Sequence, residues 1–158
     1  MFKDLFKELQ ICVLYFVAKT NREGKKITHK KIQRLLYFVY GWYLGSTDYK
    51  DSIFPEEFIK GATNSSGVII PELAECLNKF GKDVLRTDFD ILVASEVLSH
   101  KKIELLDFIW LNYSSYVEKT LLEVQLASSV GSTLPSYFLD VESIRSVFEE
   151  LNINKRLF

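Results

Sequence analysis

Apolar residues recur at three- and four-residue intervals along most of this chain, the spacing that gathers them on one face of a helix. Phe2, Leu5, Phe6, Leu9, Val13, Phe16 and Val17 predict a first helix from Phe2 to about Thr20. The stretch NREGKK (21–26) ends it, since Asn21 and Gly24 are stop and turn residues. Thr28 suits the N-cap of a second helix, although Lys31 stands where a capping-box glutamate would be. That helix runs to about Leu44 with Ile32, Leu35, Leu36, Val39 and Tyr43 on one stripe, and Gly45 and Ser46 stop it. Signals weaken from Asp48 to Ile70, where NSSG (64–67) reads as a loop. Pro71 then opens a helix to about Phe80, closed by Gly81. Asp88 to Leu98 mixes β-branched and apolar residues and fits a strand or a helix equally. Ser99 caps a helix carrying Ile103, Leu106, Ile109, Trp110 and Tyr113, broken at Ser114 and Ser115. Another helix is expected from Tyr116 to Ala127, a loop over 128–135, and a last helix capped by Asp140 with Ile144, Val147, Phe148 and Leu151 as its stripe.

The sum is a mostly α protein: one compact multi-helix domain over residues 1–158, with room for one short β-strand pair. At 158 residues the chain can bury a core without staples. Strands do not alternate with helices as in a nucleotide-binding α/β fold. The apolar run Ile11–Ala18 is too short for a membrane span and is not followed by a signal-peptide cleavage site, so a cytoplasmic, reducing compartment is expected. Cys12 and Cys76 lie far apart in no ligand spacing, which predicts two buried free thiols and no metal site.

Catalytic patterns are missing from the sequence. There is no glycine-rich phosphate loop, no GxSxG and no HExxH, and no cofactor is implied. The two histidines, His29 and His100, open helices in charged surroundings and have no second histidine at ligand spacing. Glu56–Glu57 and Glu149–Glu150 are adjacent pairs; neighbours on a helix diverge by about 100°, so such carboxylates do not converge on a substrate. The expectation is a protein that is not an enzyme.

A net charge of −1 argues against a nucleic-acid footprint over the whole molecule but leaves room for a local one. Lys25, Lys26, His29, Lys30, Lys31 and Arg34 crowd a turn and a helix start, where phosphate is attracted. Three readings stay open for this cluster: a solvated rim, a patch facing an acidic partner, or a nucleic-acid contact. Beyond Arg34 the second helix is apolar nearly all round, which marks a central helix. Its aromatic residues are core or, alternatively, anchors of an interface.

The run ITHKKIQRLLYFVYGWYLG (27–45) resembles the opening helix of the Panacea (SocA-like) antitoxin domain, found also in phage-associated GepA-type proteins. Gln33, Leu36, Gly41, Trp42 and Tyr43 fall in its register. The family's GPVxPxL element is similar to Gly67–Leu73, with Pro71 kept and Val68 in place of the first proline. LSHKKIELLDFIWLNY matches a later block through Leu106, Asp107, Ile109, Trp110 and Tyr113, and DVESIRSVFEEL resembles the closing segment through Ile144 and Phe148. Two departures stand out: Thr63 and Asn64 replace an alanine–tryptophan pair, and no histidine or tryptophan occurs around Gln125–Pro135. The resemblance implies a helical antitoxin module that neutralises a co-encoded toxin by direct contact, or acts as an adaptor for it. Lys31, Arg34, Tyr37, Trp42, Trp110 and Tyr113 are the candidate contact residues. The competing expectation is a phage or mobile-element regulator that binds nucleic acid through residues 25–34.

Overall fold

The first helix, α1 (Lys7–Arg22), buries Leu9, Cys12, Val13 and Phe16 completely, as the helical spacing requires. These positions belong to a computed structural model that describes residues 7–45, 73, 85–115 and 148–149. Ile11, Tyr15, Val17 and Ala18 are buried as well, so α1 is covered on more than one side. Its end is a Schellman turn. Lys25 N–H reaches back to Thr20 O at 3.0 Å and Gly24 N–H to Asn21 O at 3.1 Å. Gly24 sits at φ 67°, the left-handed conformation such a turn needs.

Helix α2 (His29–Gly45) starts where the hydroxyl cap predicts. Thr28 Oγ1 accepts from Lys31 N–H at 3.5 Å, and Thr28 O accepts from Ile32 N–H at 3.2 Å. The expected stripe of Ile32, Leu35, Leu36 and Val39 is wholly buried, but so are Tyr37, Phe38, Tyr40 and Trp42. α2 is therefore the central helix, packed against both α1 and the helix that follows Ser99. Gln33 and Arg34 are buried with it.

The ambiguous stretch 88–98 turns out to be neither a strand nor an α-helix. Leu85 N–H binds Ile27 O at 2.9 Å, and the Asn21 side-chain amide clamps the same segment twice. It donates to Leu85 O at 3.3 Å and accepts from Thr87 N–H at 3.0 Å. Asp90 then caps a 3-10 helix over Ile91–Glu96, its carboxylate accepting from Leu92 N–H at 3.0 Å. Side chains three apart eclipse in such a helix. Ala94 is accordingly buried, while Ile91 and Val97 pack on the core from either side of it. A period of three satisfies neither the strand nor the α-helix template, which explains the mixed signal. Among the described residues there is no strand.

Helix α3 (His100–Tyr113) has Ser99 as its N-cap, with the hydroxyl accepting from Lys102 N–H at 3.3 Å. Leu105, Leu106 and Ile109 are fully buried and lie against α2. Ser99→Ala is expected to cost about 1 kcal/mol in a urea melt, because it removes the acceptor of an orphan amide. Ser99→Asp should retain most of the stability. The helices expected over 71–80, 116–127 and 140–151 fall almost wholly outside the described residues, from which only Leu73, Phe148 and Glu149 are placed. Among the described residues, no helix is long and apolar enough to cross a membrane.

Candidate functional site

Several of the long-range side-chain contacts lie along the two seams that α3 makes with its neighbours. On the α1 side, Lys102 Nζ meets both oxygens of Glu8, at 3.0 and 3.1 Å. Both side chains are largely shielded, so removing either partner alone would leave a poorly solvated charge and be costly. Cys12 is fully buried on the same helix as Glu8. Burial pushes its thiol well above the usual range, the Glu8 carboxylate adds to the rise, and Lys102 opposes it. The thiol therefore stays protonated and is not a nucleophile.

One turn along, the Tyr15 hydroxyl donates to Asp107 Oδ1, and Lys19 Nζ stands 3.7 Å from the same oxygen. Burial raises the Tyr15 phenol first, and its bond to Asp107 and the charge of that carboxylate raise it further. A folded-state value above the unfolded one means the neutral phenol is favoured in the native protein. The corresponding stability is complete below the unfolded value of about 10 and drains away as pH climbs beyond it. Tyr15→Phe is thus expected to make the alkaline loss of stability shallower by as much as one proton per molecule. Urea melts between pH 9 and pH 11 read that slope, and an unchanged slope would exclude the arrangement. Farther along, Phe16 stacks on Trp110 at 6.2 Å, and Trp110 Nε1 donates to Glu23 Oε1 at 3.2 Å.

The α2 side is mainly aromatic. Phe38 stacks on Tyr113 at 4.2 Å with the rings 13° from parallel. Trp42 Nε1 donates to the Tyr113 hydroxyl at 3.0 Å, and the Trp42 ring meets Phe108 edge-on at 4.9 Å. Phe148 comes in from the far end of the chain, 5.7 Å from Trp42 and 6.0 Å from Tyr37. Gly41 makes room for it: a Cβ at Gly41 would lie 2.5 Å from two carbons of the Phe148 ring.

The candidate contact residues are divided by this arrangement. Tyr37 and Trp42 are 1% exposed and Trp110 6%, so all three belong to the core and not to a surface. Of the two roles left open for the aromatic residues, core packing is the one they fill. Tyr113 is half-buried and engaged with Phe38 and Trp42. Arg34, expected on a basic rim, is only 6% exposed. Lys31 spends its ammonium on Ser114 O at 2.7 Å, capping the C-terminal end of α3, where a cation suits the helix dipole. Of the family-like positions, Gln33, Leu36 and Gly41 lie on the central helix, whereas Gly67 and Pro71 are outside the described residues.

The basic cluster is not a single face either. Lys25, Lys26 and Lys30 are exposed, and Lys25 pairs with Glu23 at 3.4 Å. His29 is half-buried, while His100 is open to solvent with its Nε2 2.8 Å from Glu104. Sequence reasoning missed Glu8, Lys102, the Tyr15–Asp107 bond and the Asn21 clamp. For Lys102 a signal exists, and it is shared with Lys31. Thr28-x-x-Lys31 and Ser99-x-x-Lys102 both carry lysine where a capping box has glutamate. A cation in a first helical turn is unfavourable there, so each lysine is held by a partner on another element. Comparison of the chain with family models, curated proteins and solved structures gave no significant match to any of them.

Proposed function

We propose that this chain is an antitoxin-like module that binds a co-encoded toxin by direct contact and performs no turnover itself. The supporting observation is a convergence. Trp42 comes from the block that resembles the Panacea opening helix, Tyr113 from the middle block and Phe148 from the closing one. The three meet in one aromatic cluster around Gly41. Residues far apart in sequence but alike in family pattern therefore share one packing task, as a common fold requires. Function does not follow from fold alone, so contact with a toxin is the part that needs testing.

The test is the reading frame next to this gene. Expressed alone it is expected to arrest growth, and together with this chain to give growth and a complex that co-purifies. Rescue should persist in a His29→Ala, His100→Ala double variant; its loss would restore a catalytic role. Persistent arrest beside folded, abundant chain would overturn the proposal. The nucleic-acid alternative retains Lys25, Lys26 and Lys30 but loses the inward-turned Lys31 and Arg34 from its footprint. Duplex binding with a steep salt dependence would favour it.

A further inference from the structure

We infer that the outer side of the 3-10 helix 91–96 is a docking surface for a basic segment of a protein partner, one that presents an apolar side chain between its cations. The assignment rests on the toxin-binding reading above and names its surface and the chemistry that fits it. The inward row, Ile91, Ala94 and Val97, accounts for packing on the core. Between these residues the helix faces outward, and there Leu92, 78% exposed, and Val93, 38% exposed, stand side by side. A lone exposed apolar side chain is ordinary, whereas adjacent ones form a patch.

Three exposed carboxylates border this apolar pair along the chain: Asp88, Asp90 and Glu96. Glu96 shares the row of Val93, three residues on, and Asp90 stands at the start of the helix as its N-cap. No cation interrupts the stretch between Arg86 and His100. Asp88 and Glu96 form no ion pair among the described residues, and Asp90 is engaged only with the amide of its own helix. An apolar centre with an acidic rim is complementary to an apolar side chain with a basic rim.

Two measurements test this. In the growth-rescue assay, Leu92→Ser is expected to abolish neutralisation and co-purification while leaving the melting temperature unchanged. Leu111→Ser, at 79% exposure on α3, should leave both intact. Loss of rescue with Leu111→Ser but not with Leu92→Ser would overturn the assignment without touching the toxin-binding reading. If the unaltered chain fails to rescue, that reading falls, and the surface is tested alone. The full-length chain, labelled with nitrogen-15, is titrated with a synthetic lysine-rich peptide carrying a leucine pair. Shifts should centre on residues 88–96, and Leu92→Ser should weaken binding about tenfold or more. Combining Asp88→Asn with Glu96→Gln should flatten its salt dependence. Shifts centred elsewhere, or equal binding of matched peptides with serine for leucine or glutamate for lysine, would overturn the surface.

Discussion

Trp42→Ala is expected to lower the free energy of unfolding by about 3–5 kcal/mol, much of the stability of an ordinary domain. The indole is 1% exposed and sits between the edges of Phe108 and Phe148. Removing it takes a large apolar surface out of the core and leaves a cavity whose walls come from α2, α3 and the C-terminal segment. These walls are aromatic rings on separate elements, which cannot close the gap without shifting a helix. The Tyr113 hydroxyl also loses its donor. Trp42→Phe shifts the balance between the two effects, because it keeps a ring in place, shrinks the cavity and still deletes the Nε1 bond. It should cost about 1–2 kcal/mol, the range for one lost hydrogen bond with modest repacking. Denaturant melts of the three proteins measure the series, and a loss below about 1 kcal/mol for the alanine variant would mean that Trp42 is not enclosed as described.

Gly41→Ala is a test in which two effects have opposite signs. Replacing glycine inside a helix by alanine normally adds about 1 kcal/mol through backbone propensity. Here the new methyl would lie 2.5 Å from Phe148 Cδ2 and Cζ, far inside van der Waals contact. The Phe148 ring cannot swing clear, since Tyr37, Phe38 and Trp42 hold its other sides. Overpacking of this kind costs about 1–3 kcal/mol and outweighs the propensity gain. The net expectation is destabilisation. Phe148→Leu in the same chain should recover part of the loss, so the two substitutions will be non-additive in a double-mutant cycle. A Gly41→Ala variant more stable than the parent would refute the close approach.

The helical class, both hydroxyl caps, the Gly24 turn and the buried stripe of α2 were legible in the sequence, because each depends on residues within one or two turns. The 3-10 helix was not, because its period of three sits between the two usual templates. The fate of Lys31 and Arg34 was hidden for a different reason. A local cluster of charges says where the backbone places them, and only the tertiary fold says where a long side chain ends. Lys31 finds its acceptor at Ser114, 83 positions away, and Lys102 finds Glu8 at a separation of 94. Phe148 and Gly41 are as distant in sequence, and no short window relates them. For the aromatic residues the sequence left core and contact roles open for a related reason, and Tyr37, Trp42 and Trp110 are buried in the fold. Their enrichment is common to interfaces and to central helices, and exposure alone distinguishes the two.

Among the described residues, the 3-10 helix and its C-cap pack on the core through Ile91, Ala94 and Val97, three small or medium side chains. Its remaining positions can drift under selection without disturbing the scaffold. Exchanges at Leu92, Val93, Ser95 and Glu96 can therefore alter the chemistry of this exterior without emptying the core, whereas Asp90 is tied to the helix as its cap and Phe89, Ile91 and Ala94 to the packing.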